Sequence, residues 1–375
     1  MLSFANFDLL PSLQATLSEQ GLKQPTEIQR RALPALLEGR SVVGVAETGS
    51  GKTLAYALPL LHRLKQLESQ GDPVSVEAHP RAAVIVPTRE LGEQVSRVFK
   101  IYTHGTRLRV RTVLGGTTME IARRNASGPF EILVATPGRL LQLMDKRLLN
   151  LSDLRSLVFD EADQMLDAGF LADATRIVDA CPAERQMALF TATLSADVQR
   201  LVGDLFSEAE LFRSQGSQRM LVPTLQTQNL AVKNGKRWPL LEKLLSKPVE
   251  GGTLIFTNTR EQCDKLAAEL AENGHACVIY RGEMDKVERR ANLKSFRDEK
   301  VRLLVSTDLA SRGLDVEHVG RVINYHLPQQ LENYIHRAGR TARAGREGLV
   351  VNFVTERDGP LMKQLETLAR GKPGL

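Results

Sequence analysis

Gly49, Ser50, Gly51, Lys52 and Thr53 stand together after the apolar run Val42–Val45 and before Leu54-Ala55-Tyr56-Ala57. A strand that feeds a glycine-rich turn and then a helix builds a cradle for phosphate, because backbone N–H groups and the positive end of the helix face the same anion. Gly49 and Gly51 free the backbone to curl. The Lys52 ammonium can reach β and γ phosphates, and the Thr53 hydroxyl can hold Mg²⁺. Ala46 stands where the usual pattern opens on glycine, and Glu47 and Thr48 complete the loop. Far downstream, Leu157-Val158-Phe159 runs into Asp160-Glu161. A carboxylate at a strand end can hold the Mg²⁺ that bridges the phosphates, and a neighbouring one can orient or deprotonate an attacking water. Each feature alone has a plainer reading, a small-residue turn and a solvated acidic turn. Together they point to the handling of a nucleoside triphosphate.

The elements that position these groups are legible as a pattern. Residues 82–86, 132–135, 157–159 and 187–190 are unbroken apolar runs, as expected of strands covered on both faces by helices. Helical periodicity lies between them, for example over 89–99 and 170–181. That alternation predicts a parallel α/β sheet. The pattern then restarts: strands at 253–256, 276–279, 303–306 and 321–324, with an amphipathic helix over 261–273. The second half repeats the architecture and lacks the Gly-Lys-Thr loop. Two domains are expected, 1–212 and 223–375, joined by a polar connector over 213–222. Residues 69–80 read as a surface loop.

A chain of 375 residues exceeds one ordinary core. No apolar run approaches a membrane span of about 20 residues, and the N-terminus lacks the pattern of a secretory signal. Cys181, Cys263 and Cys277 fit no metal spacing and read as buried thiols of a reducing, cytoplasmic compartment. A net charge of +6 is compatible with a polyanionic partner and weak as an argument alone.

Asp160-Glu161-Ala162-Asp163 spells the tetrapeptide of the DEAD-box RNA helicases, and the chain resembles that family over nearly its whole length, with many motifs in the family order. The resemblance implies two tandem RecA-like domains, each a mainly parallel sheet flanked by helices, with ATP in the cleft between them and RNA across both. It implies Gln29, in Gly21-Leu22-Lys23-Gln24-Pro25-Thr26-Glu27-Ile28-Gln29, as the reader of adenine, since a carboxamide both donates and accepts. Phe4, seventeen positions before Gly21, stands where the family carries an aromatic that stacks on the base. Core packing is the alternative for Phe4 and the reading taken for Phe7. Asp163, Thr191, Thr193 and His336 are implied to couple hydrolysis to strand separation. His336-Arg337-Ala338-Gly339-Arg340-Thr341-Ala342-Arg343 matches the arginine motif, with Arg340 and Arg343 as fingers for the γ phosphate. Asp315 is implied to accept from an ATP ribose hydroxyl, with Gly313 permitting close approach.

The same resemblance lays an RNA track along strand-end loops: Pro87, Thr88 and Arg89; Gly115 and Gly116; Thr136, Pro137, Gly138 and Arg139; then Arg260, Arg289 and Thr307. In isolation each reads as a turn or cap. With few aromatics present, backbone contact and little sequence preference are expected. The chain departs from the family at Gly92 (usually alanine), Thr191 (usually serine), Glu283 (usually aspartate) and Lys286 (usually glutamine). Rival readings are a DNA-stimulated translocating ATPase and an ATP-gated RNA clamp. Protein partners are expected to supply targeting, and a monomer is the default.

Overall fold

A computed structural model describes residues 2–47, 49–167, 169–214, 225–308, 316, 318–342 and 347–369. The chain divides into two compact units, Met1–Ser217 and Gln218–Leu375.

The first unit is built on seven parallel strands: β1 (Val42–Val45), β2 (Ala82–Ile85), β3 (Val110–Val113), β4 (Ile132–Ala135), β5 (Ser156–Asp160), β6 (Gln186–Thr191) and β7 (Glu210–Arg213). Their order is β3-β4-β2-β5-β6-β1-β7. Alternate residues feed two separate cores, as a pleated strand requires. Val42, Val84, Val134, Val158 and Phe190 pack on one face. Helices α1 (Pro11–Glu19), α2 (Glu27–Leu37), α3 (Lys52–Ser69) and α4 (Arg89–Thr106) cover it. Val43, Val45, Ile85, Leu133 and Phe159 pack on the other. There the cover is α5 (Met119–Asn125), α6 (Pro137–Asp145), α7 (Ala162–Asp167), α8 (Leu171–Asp179) and α9 (Ala196–Leu205). Fully burying each such side chain is worth about 1.5–3 kcal/mol. The three-layer sandwich therefore holds the sheet rigid, and every strand ends at the same rim.

The second unit has β8 (Leu225–Ala231), β9 (Gly252–Thr257), β10 (Cys277–Tyr280), β11 (Leu303–Thr307), β12 (Val319–Asn324) and β13 (Gly348–Val354), in the order β10-β11-β9-β12-β13-β8 and parallel throughout. Leu254, Leu304, Val322 and Val350 face one core, and Ile255, Val305, Ile323 and Val351 the other. Helices α10 (Trp238–Leu245), α11 (Arg260–Glu272), α12 (Lys286–Arg297), α13 (Leu331–Ala338) and α14 (Gly359–Ala369) flank it.

Several sequence expectations shift. The helix expected over 89–99 runs to Thr106, closed by Arg107 in the left-handed region at φ 59°. Those expected over 170–181 and 261–273 are Leu171–Asp179 and Arg260–Glu272, and the strand expected over 276–279 lies one residue later, at Cys277–Tyr280. Strands β7, β8 and β13 had no counterpart in the sequence reading, and β3 was implied there only as a strand without bounds ahead of Gly115-Gly116. Arg213 and Ser214, expected in the connector, belong to the first sheet: β7 ends at Arg213, and the Ser214 N–H donates to Val45 O at 3.0 Å. Connector residues 215–222 lie outside the described residues. Among the described residues no helix is long and apolar enough to cross a membrane.

Candidate active site

Chemistry-bearing residues of the first unit gather at the carboxyl rim of its sheet, where open parallel sheets place their ligands. β1 delivers the loop 46–53, and β5 delivers Asp160 and Glu161. β6 delivers Thr191-Ala192-Thr193, and β2, β3 and β4 deliver the three loops of the expected RNA track.

Gly49 and Gly51 adopt φ of 86° and 88°, conformations that side chains rarely tolerate. Gly51 is also the N-cap of α3, and no side chain caps that helix start. Its first amide groups are thus of the kind that bind anions. Lys52 is 6% exposed, and its Nζ donates to Ala46 O at 2.9 Å. The Ser50 hydroxyl donates to Glu47 O at 2.7 Å, which cinches the loop. Burial raises the Glu47 carboxyl above its ordinary value, and Lys52 pulls the other way. Thr48 lies outside the described residues.

Gln29 is 3% exposed and holds the loop from behind. Its Oε1 accepts from Thr26 N–H at 2.9 Å, and its Nε2 donates to Gly51 O at 3.0 Å. A Cβ on Gly51 would sit 2.4 Å from that Nε2, so glycine is needed here for approach as well as for φ. Half of the carboxamide's capacity remains, one N–H and one lone pair. Phe4 does not stand free to stack. It is 3% exposed, packs 6.4 Å from Phe7 and joins the same core, because the short 3₁₀ turn Phe4–Asn6 folds it inward.

Asp160 is 2% exposed. Its Oδ2 accepts from the Tyr56 hydroxyl at 2.7 Å and its Oδ1 from Glu161 N–H at 3.0 Å. Burial pushes the Asp160 carboxyl up to about 6, while Lys52 lowers it and Glu161 raises it. Tyr56 stands one turn beyond Thr53 on α3. Its own hydroxyl is held well above the usual phenol range by burial, then by Asp160, and the Thr53 side chain pulls it down slightly. Sequence reasoning placed Tyr56 in the helix and gave it no role; its i+3 spacing from Thr53 was the available signal. Glu161 is 5% exposed and receives Gln164 Nε2.

Asp163 ties the rim together. Its Oδ2 accepts from Ala192 N–H at 3.2 Å, Thr193 N–H at 3.0 Å and the Thr193 hydroxyl at 3.1 Å. The Thr191 hydroxyl turns instead to Thr193 O at 2.8 Å.

The loops of the expected RNA track hold one another. Thr136 Oγ1 accepts from Gly115 N–H at 2.9 Å, Arg89 Nη1 donates to Gly116 O at 3.3 Å, and Arg139 Nη2 donates to Thr117 O at 2.6 Å. Arg89 also pairs with Glu93 at 2.8 Å. Both arginines thus brace the Gly115-Gly116 loop. Pro137 opens α6 with Gly138 behind it, Pro87 precedes the Thr88 N-cap, and Thr88 Oγ1 accepts from Leu91 N–H at 3.3 Å. Gly92, where the resembled family usually has alanine, has a packing reason: a Cβ there would lie 2.4 Å from Leu114 Cδ2.

In the second unit, Thr307 ends β11, Arg260 opens α11 beside Glu283, and Arg289 lies 5.1 Å over the Tyr280 ring. Arg340 is 3% exposed, with Nε donating to His336 O at 3.2 Å, and His336 is 7% exposed. The residue that sequence reasoning passed over is Arg337, which is buried and bonded to Asp308, Asn258, Asn324 and His326 O. Gly313, Asp315 and Arg343 lie outside the described residues.

Comparison with known proteins then decides the family. The DEAD/DEAH box helicase model matches residues 26–201, and the helicase conserved C-terminal domain matches 236–345. The ATP-dependent RNA helicase CshA of Listeria monocytogenes is 33% identical over 366 residues, 98% of this chain and 68% of that protein. The chain belongs to the DEAD-box helicase family. The DEAD-box ATP-dependent RNA helicase RhpA of Helicobacter pylori is 37% identical over 359 residues, covering 94% of this chain and 70% of that protein. The structure of S. cerevisiae Dbp5 bound to RNA and ADP BeF3 aligns with a TM-score of 0.86 at 28% identity, covering 98% of this chain and 93% of that one. The two units are accordingly the tandem RecA-like domains of a DEAD-box protein, and the rim of the first carries its DEAD tetrapeptide.

Proposed function

We propose that this chain is an RNA-stimulated ATPase that separates short RNA duplexes or remodels RNA–protein complexes. The observation that supports it most is the gathering, on one rim, of Lys52, the uncapped start of α3, the Tyr56–Asp160 pair and Glu161. Lys52 and the loop amides would take the β and γ phosphates. Gln29 would read adenine with its remaining N–H and lone pair. Glu161 would orient or deprotonate the attacking water.

Thr53 and Asp160 suit Mg²⁺, since both offer hard oxygen donors. Among the described residues there is no group of three or more His, Cys, Asp or Glu able to hold a metal, so the ion would be shared with the substrate phosphates, as is usual for Mg²⁺. When bound, it neutralises charge on those phosphates.

RNA would lie along the braced loops 87–89, 115–116 and 136–139, and then on Arg260, Arg289 and Thr307. Arg340 and Arg343 would stabilise charge on the γ phosphate once ATP and RNA draw the domains together, with Gly313 and Asp315 at the ribose. ATP and RNA would then raise each other's affinity by the same factor. Asp163, Thr191, Thr193 and His336 would transmit closure to the RNA. Targeting would come from protein partners, and action as a monomer in the cytoplasm is the simplest arrangement.

The test is ATP hydrolysis and duplex separation by the whole chain, with RNA and DNA of one sequence, beside Glu161→Gln. Stimulation by RNA alone, lost in the variant, supports the reading. Equal stimulation by DNA favours a DNA translocase. RNA binding that needs ATP but no turnover favours a clamp.

A further inference from the structure

Strand β3, at the edge of the first sheet, carries a basic surface that none of the roles above uses. Residues 97–124 hold seven Lys and Arg against one acid, Glu120. Arg107, Arg111, Arg123 and Arg124 are exposed, and among the described residues none of these four side chains has a hydrogen bond or ion pair. Other arginines of this unit are paired: Arg31 with Glu27, Arg81 with Asp72 and Arg176 with Asp145. Arg109, in the middle of the segment, is likewise held by Glu131.

The geometry gathers three of the free cations on one face. Val113 shares a core with Ala122 and Ala126, and Asn125 Nδ2 donates to Thr112 O at 3.1 Å, so α5 lies on the Val113 face of β3. Arg111, two residues before Val113, projects to that same face. Arg123 and Arg124 stand on the outer side of α5, beside buried Ala122. Edges of sheets are often blunted by a charge. That need accounts for Arg111 on the strand and not for a pair on the helix beside it. β3 also runs directly into Gly115 and Gly116. Arg111 is four residues from Gly115, about 13 Å along a strand, or roughly four steps of a nucleic-acid helix at 3.4 Å each.

We propose that Arg111, Arg123 and Arg124, with Arg107 at their margin, form an accessory surface for the RNA phosphate backbone, one that engages RNA extending past the Gly115-Gly116 loop. The inference rests on the RNA reading above and adds a second contact zone to it. It predicts that this protein grips a long or partly duplex RNA more firmly than an oligomer just long enough for the central track.

The experiment compares the whole chain with the triple variant Arg111→Glu, Arg123→Glu, Arg124→Glu, and with the triple glutamine variant as a milder form. Thermal unfolding and unstimulated ATP hydrolysis verify that both are folded. Affinity is measured for a short single strand and for a hairpin with a long single-stranded extension, over a range of salt. Each lost phosphate contact lowers the slope of log affinity against log salt by about 0.7–0.9. For the long RNA the slope should drop by about 2 and the affinity by at least about tenfold in the glutamate variant, less in the glutamine one, with the short strand unaffected. Long-RNA affinity and slope equal to wild type overturn the proposal while leaving the RNA reading intact. Loss of an acidic protein partner with RNA binding unchanged also overturns it. Failure of wild type to bind either RNA overturns both readings.

Discussion

Replacing Arg337 by lysine keeps the charge and should still unfold much of the second unit's margin of stability. The guanidinium is 1% exposed, and all five of its N–H donors are used. Nε and Nη2 reach the two Asp308 oxygens at 2.5 and 2.7 Å, Nη2 also reaches Asn258 Oδ1 at 2.8 Å, and Nη1 reaches Asn324 Oδ1 at 3.0 Å and His326 O at 2.6 Å. The Phe256 ring lies beneath it, 4.9 Å from Cζ. An ammonium has three donors and no fork, so at least two of these acceptors lose their bond. At about 1–3 kcal/mol for each orphaned group, two of them cost about 2–6 kcal/mol. The chain has one tryptophan, Trp238, which starts α10, so its fluorescence reports on the second unit alone. With a urea m value of about 2 kcal/mol per molar, the midpoint should fall by about 2 M. Arg337→Met should do at least as much harm, and adding Asp308→Asn should recover part of it, because the charge that faced Arg337 goes too. A midpoint shift under about 0.5 M for Arg337→Lys would refute the five-bond account.

Two further outcomes are expected. His326 is pushed down to about 4 by burial first, then by Arg237 and Arg337, and among the described residues its buried Nδ1 has no hydrogen-bond partner. Its folded value lies below the unfolded 6.5, so its contribution is fully present above about pH 6.5 and is lost as pH falls toward 4. Discounted for partial exposure, that is about 1–2 kcal/mol. The Trp238 urea midpoint should drop between pH 7.5 and 5, and His326→Gln should flatten that drop. Tyr56→Phe removes one hydroxyl and leaves Asp160 only the Glu161 N–H, which should weaken nucleotide binding in Mg²⁺ by about 3–10-fold, equivalent to roughly one hydrogen bond, with binding in chelator unchanged. Equal losses with and without Mg²⁺ would separate Tyr56 from the ion.

What the sequence could show follows from which signals are local. Ile132–Ala135 and the Leu303–Val305 part of β11 were legible because a strand covered on both faces carries an apolar run. Weak apolar runs escaped a clear reading: Val110–Val113 is interrupted by Arg111 and Thr112, and Leu225–Ala231 is mostly polar and exposed, so neither carries the apolar run that marks its neighbours. Cys277–Tyr280, also at an edge, is apolar and was legible, whereas interior Gly348–Val354 was missed although most of it is apolar. The phosphate loop and the DEAD tetrapeptide are contiguous and therefore readable. Arg337 and Tyr56 are not, because their partners lie 29 and 104 positions away in sequence. Gly92 makes the same point in reverse: its reason is Leu114, a contact that only the folded chain creates.

Backbone strain is the property least visible in sequence, and it marks the motifs. Eight non-glycine residues have positive φ among the described residues, and the only two buried ones are Glu161 and Ala342, at 5% and 7% exposure. One follows the last residue of β5 in the DEAD tetrapeptide, and the other lies in the arginine motif. The other six occupy turns and helix ends nearer to solvent, where strain is easily relaxed. A left-handed L-residue costs about 1–2 kcal/mol and persists where the surroundings fix it. At Glu161, φ is 53°, and the turn swings its carboxylate from the strand direction to Gln164. Glu161→Ala and Glu161→Gly lose the same carboxylate, so the difference between them isolates the backbone. In ordinary helix or strand alanine is the more stable of the two. Here glycine should be the more stable by about 1 kcal/mol, or about 2–4 °C in the calorimetric transition of the first unit, which is identified as the one Trp238 does not follow. If alanine proves the more stable, the turn at Glu161 is unstrained, and its left-handed geometry has no energetic part in aiming the carboxylate.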